Sequence, residues 1–197
     1  VDAVRWTPAR VAENCARFNR PGLRPPSGAG DPGPLLIVTV GGGAAPGDRA
    51  TELRARAGSE AQVHASVSGV EAARDLVLLL GTDPRTHLAG PSGGTIEEVS
   101  RDLTGAGEWT SASELFHVLN HSLRYLILRN FERMPESLHV DAHEDVDLLT
   151  DDCAALARVL NARPNVRYIP GSGGPHWVRI GGQDVWFDLR FVGDGYY

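Results

Sequence analysis

The sequence predicts an α/β protein of the α+β kind: a mixed sheet with helices packed on it, built in two parts. Three observations carry that expectation. Capping-box spacings at Ser68–Glu71 and Ser111–Glu114 each precede an apolar run of helical period. Two-residue alternation marks "DVDLL" and "DVWFDLRF" as half-buried strands. In the second half the order is helix, strand, strand, helix and then strands, which suits a sheet covered by helices on one side.

The elements follow in order. Residues 1–34 read as an irregular N-terminal arm, because 20–34 ("RPGLRPPSGAGDPGP") are dominated by proline and glycine. "LLIVTV" (Leu35–Val40) predicts a short buried strand. The turn "GGGAAPGD" leads to a helix from about Arg49 to Ala57, stopped by Gly58. "QVHASV" reads as a second strand, and "SGVEAARDLVLLLG" as a helix whose C-cap is Gly81. "SGGTIEEVSRDLTG" predicts one more short helix. The glycines of 89–107 loosen the chain, which places a boundary near residue 105. A small α/β subdomain (35–105) is thereby separated from a second domain (106–197).

In that second domain Leu115, Val118, Leu119 and Leu123 share a helical face. "RYLILRNF" and "DVDLL" read as strands. Asp151 or Asp152 is placed to cap the helix "CAALARVLNA", which Pro164 ends. "VRYI", "HWVRI" and "DVWFDLRFV" are further strands, the last two joined by the hairpin turn "GGQ".

Composition excludes several functions. A net charge of −6 argues against a general grip on nucleic-acid backbones. All 19 basic residues are arginine, so neither a P-loop lysine nor a Schiff-base lysine exists. Arginine is then the permanent cation for phosphate, which its planar fork binds bidentately. Cys15 and Cys153 stand far apart without metal-like spacing and read as independent reduced thiols. No apolar run approaches the roughly 20 residues of a membrane span. The opening "VDAVRWTPAR" lacks a signal-peptide core, so the expected location is the cytoplasm, with no membrane partner.

The densest chemistry lies in "LHVDAHEDVDLLTDD" (Leu138–Asp152), with six acids and two histidines. Strand alternation puts Asp145 and Asp147 on one face, about 6–7 Å apart, and Val146 and Leu148 on the other. In "DVWFDLRF", Val185, Phe187, Leu189 and Phe191 form the apolar face, so Trp186, Asp188 and Arg190 share the opposite one. If the two strands are neighbours, Asp145, Asp147 and Asp188 converge. Crowded carboxylates repel unless a proton or a divalent cation intervenes, and hard oxygen donors select Mg2+ or Mn2+. His139 and His143 read as solvent-facing loop residues. Asp151 and Asp152 are accounted for by helix capping.

This pattern resembles the nucleotidyltransferase fold shared with the DNA polymerase β superfamily: a helix, a strand, "DVDLL", a helix, then a later strand with a third acid. The resemblance covers residues 109–193. It implies that Asp145, Asp147 and Asp188 hold magnesium, and that Asp188 also takes a proton from an acceptor hydroxyl. It implies transfer of a nucleotidyl group from a nucleotide triphosphate to a small hydroxylated or phosphorylated acceptor. Where that family has a glycine turn for the triphosphate, this chain has "LILRNFERMP"; Arg129 and Asn130 stand there instead, with Arg179 and Arg190 as further arginines for phosphate. The missing glycines keep open a non-catalytic module that binds a partner enzyme or polymer. "LRNFERMP", "DVDLL" and "DLRFVGDGYY" together resemble leading domains attached to bacterial surface-polymer enzymes. Separately, "VDAHEDVD" is similar to the manganese motif of the arginase and agmatinase family, which implies a ureohydrolase-like hydrolase with Asp141, His143 and Asp145 as ligands.

Four other stretches carry weaker signals. "TVGGGAAPGD" is a β–α loop that lacks the acid a dinucleotide site needs. His64 in "VHASVS" distantly resembles the phosphorylated histidine of nucleoside diphosphate kinases, but reads as structural. "PGSGGPHWVRIGG" is a long hairpin approach, and "VGDGYY" ends on aromatics suited to packing on a partner.

Overall fold

The structure, a computed structural model, describes residues 2–19, 34–39, 51–53, 55–56, 64–66, 68–88, 98–132, 134–135, 138, 145–165 and 174–195. The chain divides into two compact units, Val1–Thr104 and Gly105–Tyr197, both of mixed α and β structure. Among the described residues no helix is long and apolar enough to cross a membrane.

In the first unit β1 (Asp2–Arg5) is the centre of a three-stranded sheet. It pairs antiparallel with β2 (Leu35–Ile37) and parallel with β3 (Glu98–Ser100). The unit's helices include α1 (Val11–Phe18), α2 (Gly69–Leu80) and α3 (Pro84–Leu88), and residues 51–53 and 55–56 are helical, within the helix expected from about Arg49 to Ala57. Residues 1–34 are therefore not simply an irregular arm. Val11, Asn14, Cys15 and Phe18 fall at helical spacing and are all buried, which holds α1 in place. Asn14 donates from Nδ2 to Asp102 Oδ1 (2.8 Å), and Arg17 donates to the Thr104 carbonyl (2.9 Å). The helix expected over "SGGTIEEVSRDLTG" is absent from its described residues, of which β3 takes the first three. Backbone pairing to β1 outweighs the weak helical preference of three exposed residues. Residues 64–66 are not strand either, because His64 and Ser66 turn their side chains to Asp75 on α2. The α2 caps match their residues: Ser68 Oγ accepts from the Glu71 N–H, and Gly81 closes the helix at φ 68°.

The second unit holds α4 (Ala112–Ser122), β4 (Tyr125–Ile127), β5 (Val146–Thr150), α5 (Cys153–Leu160), β6 (Arg163–Pro164), β7 (Gly174–Ile180) and β8 (Gln183–Phe191). Its sheet runs β4-β5-β8-β7-β6, antiparallel throughout except for the parallel pair β5–β8. A parallel pair requires a crossover, and here the chain makes it through α5 and β6–β7. Asp152 is the acid that caps α5, accepting from the Ala155 N–H at 2.8 Å. β7 and β8 join at Gly181 and Gly182, both at positive φ as a tight hairpin demands. β4 is shorter than "RYLILRNF" implies; Asn130, at φ 60°, turns the chain out of extended geometry. The expected strand "VRYI" lies outside the described residues.

Register fixes the faces. Phe187 and Leu189 are fully buried on the face that β8 turns to α5, with Val146 and Leu148 beside them on β5. Trp109 is fully buried as well, donating from Nε1 to the Leu160 carbonyl at 2.7 Å. The opposite face carries Asp147, Asp184, Trp186, Asp188 and Arg190.

Candidate metal centre

The acids meet because of register. In the parallel pair, Asp147 lies directly across from Asp188, and alternation sends both to the polar face. Asp145, one residue before β5, completes the group: one ligand atom from each of the three lies within 4.8 Å of the others. Asp147 and Asp188 are buried, and Asp145 is partly exposed. The remaining members of the arginase-like motif, Asp141 and His143, lie outside the described residues, as does His139.

Two guanidiniums reach the triad. Arg129 donates from Nε to Asp147 Oδ2 and lies with Nη2 3.4 Å from Asp145 Oδ1. Arg190 donates from Nη2 to Asp188 Oδ2 at 2.5 Å and lies 3.9 Å from Asp194, a residue that sequence reasoning missed. Asn130 uses its side-chain amide on the Asp145 carbonyl (2.7 Å), so it braces the acid's backbone. Arg179 is not brought in: it pairs with Glu108 and Asp184 near the β7–β8 turn.

The two arginines leave part of the triad unsatisfied. Asp147 Oδ1 and Asp188 Oδ1 are buried and have no hydrogen-bond partner among the described residues. An unpaired buried carboxylate oxygen is costly, and a hard cation is the ligand that relieves it. Burial pushes the Asp188 carboxyl above its usual range; Asp147 and Asp145 add to that push, and Arg190 opposes it. The donor set is all oxygen, which fits Mg2+ or Mn2+.

Trp177 and Trp186 face each other across the β7–β8 ladder on the same polar surface, ring centroids 5.0 Å apart. Trp186 is two residues from Asp188 and exposes its ring.

A second group with metal-capable atoms sits in the first unit: His64, Glu71 and Asp75. Its sequence signal is the i, i+4 spacing of the two acids on α2. His64 Nε2 lies 3.2 Å from Asp75 and 3.7 Å from Glu71, Ser66 donates to Asp75 at 2.8 Å, and Arg74 lies 4.0 Å from Glu71 and 3.9 Å from Asp75. Here no buried oxygen among the described residues is left without a partner, and the groups form an ion-pair network.

Comparison with known proteins adds nothing to this geometry, since no protein family, no curated protein and no solved structure matches the chain.

Proposed function

We propose that the Gly105–Tyr197 unit is a divalent-metal-dependent nucleotidyltransferase, moving a nucleotidyl group from a nucleotide triphosphate to a small hydroxylated or phosphorylated acceptor. One observation carries the reading: three carboxylates from two strands converge, and two of their buried oxygens stand without partners. Asp145, Asp147 and Asp188 would hold the cation. A bound divalent ion supplies neutralisation of the phosphate charge. Asp188 would also accept the acceptor's hydroxyl proton. The acceptor oxygen bonds to the α-phosphorus, the bond from that phosphorus to the pyrophosphate oxygen breaks, and pyrophosphate leaves. Arg129 and Arg190 offer guanidinium forks for phosphate oxygens. The exposed ring of Trp186, on the same face, suits stacking of a nucleobase.

A second reading is favoured by a different observation. The turn after β4 has no glycine, and Asn130 spends its amide on the Asp145 carbonyl, leaving no glycine cradle for a triphosphate. A non-catalytic module of the same fold, binding a partner enzyme or polymer, is consistent with that. Thermal denaturation with Mg2+ or Mn2+, with and without each nucleotide triphosphate, separates the two. The enzyme is stabilised by metal plus one nucleotide, by about 2.7 kcal/mol at a hundredfold excess over Kd, and Asp147→Asn removes the gain. No stabilisation by any combination leaves the binding module.

A further inference from the structure

The two guanidiniums at the acid triad are held in different ways. Arg190 is mostly buried, with its side chain 22% exposed, and it lies between Asp188 and Asp194. Arg129 is 55% exposed, yet it reaches Asp147, whose side chain is 0% exposed, and also Asp145. We infer that Arg129 is an exchangeable counter-ion: it neutralises Asp145 and Asp147 in the metal-free protein, yields to a divalent cation, and then meets the phosphates that accompany that cation. The inference rests on the reading of Asp145, Asp147 and Asp188 as cation ligands.

The exchange follows from shared carboxylates. A cation bound by Asp145 and Asp147 sits on the two side chains that Arg129 now contacts. Two positive centres a few ångströms apart beside the buried Asp147 repel, so a cation on the pair disfavours Arg129 there. The unpartnered Oδ1 atoms of Asp147 and Asp188 give the cation a foothold while Arg129 still holds the other side. The backbone around Arg129 stays in place throughout. Leu128 donates its N–H to the Asp147 carbonyl at 2.9 Å, and Asn130 ties to the Asp145 carbonyl. Only the long, exposed side chain has to turn, and in turning it regains hydration. Arg190, enclosed by two carboxylates, remains. Because binding couplings are reciprocal, a phosphate that captures the displaced Arg129 must in turn strengthen cation binding.

The test is Mn2+ titration of the whole chain, followed by the electron paramagnetic resonance of free Mn2+, for wild type, Arg129→Gln and Arg129→Lys. Circular dichroism checks that each variant is folded. Without phosphate, Arg129→Gln binds Mn2+ about fivefold or more tightly than wild type, because the competitor is gone. Arg129→Lys, which keeps the charge, stays close to wild type. Inorganic tripolyphosphate tightens Mn2+ binding by wild type and fails to do so for Arg129→Gln. Equal or weaker Mn2+ binding by Arg129→Gln, with wild type binding normally, overturns the exchange. Tripolyphosphate enhancement that survives in Arg129→Gln overturns the phosphate step. Absence of Mn2+ binding in all three folded proteins removes the metal reading itself, a result distinct from either.

Discussion

Asp147 and Asp188 stand opposite each other on parallel neighbouring strands, each with one buried carboxylate oxygen that nothing among the described residues satisfies. Parallel pairing puts like charges side by side, an arrangement that normally destabilises a sheet. The protein keeps them there and offsets the charge with Arg129 and Arg190.

The raised proton affinity of Asp188 predicts the pH dependence of the metal-free protein. The native state binds this proton more tightly than the unfolded chain does, so Asp188 costs stability as pH rises. The cost is absent below the ordinary carboxylate pKa, about 3.9, and complete once pH exceeds the raised native value. In the presence of chelator, Asp188→Asn therefore melts at a higher temperature than wild type at pH 7, and the gain shrinks as pH falls towards 4. A variant that melts lower at every pH contradicts this account.

Both cysteines are predicted to be inert in the native state. Burial pushes the Cys153 thiol up to about 11, with Asp194 and Asp152 adding to it, and burial raises Cys15 as well. Since the thiolate is the nucleophile, at pH 8 only about one Cys153 in a thousand is reactive. Labelling by a disulfide reagent should run at least about 100-fold slower in buffer than in denaturant, where both thiols are exposed. Rapid native labelling of either one would show that the helix carrying it opens.

Gly105→Ala should destabilise the second unit by about 2 kcal/mol or more, from the left-handed backbone penalty and overpacking together. Gly105 sits at φ 74°, and a methyl group there would come within 2.5 Å of the buried Trp109 ring. Urea denaturation followed by tryptophan fluorescence measures the loss. An unchanged midpoint would mean that the indole can shift.

How much of this was legible in the sequence depends on the kind of interaction. Alternation in "DVDLL" and "DVWFDLRF" is a local, period-two property, so one face shared by Asp145 and Asp147, and one shared by Asp188 and Arg190, could be read directly. The caps at Ser68 and Ser111 were legible for the same reason, because Ser and Glu three residues apart describe one turn. That β5 and β8 are neighbours is a long-range fact that no window contains. Helix α1 escaped notice because Arg10, at its N-cap, makes no side-chain cap hydrogen bond. Strand β3, all exposed, carries no alternation to find. The grip of Arg129 on two acids depends on the left-handed turn at Asn130, a tertiary outcome with no motif.

The His64–Glu71–Asp75 network makes the final prediction. Asp75→Ala should cost the first unit about 1–3 kcal/mol, because Ser66 and His64 lose a buried acceptor. Differential scanning calorimetry of the whole chain measures it. Added Zn2+ should not raise the transition of the wild-type first unit, since the acids are already engaged; a large zinc-dependent rise would make the cluster a metal site after all.

Strand β8 lies between β5 and β7, so it is inserted into the middle of the sheet rather than added to its rim. During synthesis β5 emerges first and stays without this neighbour until the crossover and the β7–β8 hairpin have been made. Asp147 therefore has no Asp188 beside it in any early intermediate, and a nascent chain is incapable of trapping a cation between those strands. Chelation would then report the closing step of folding, and a chain stalled before β8 would be blind to it.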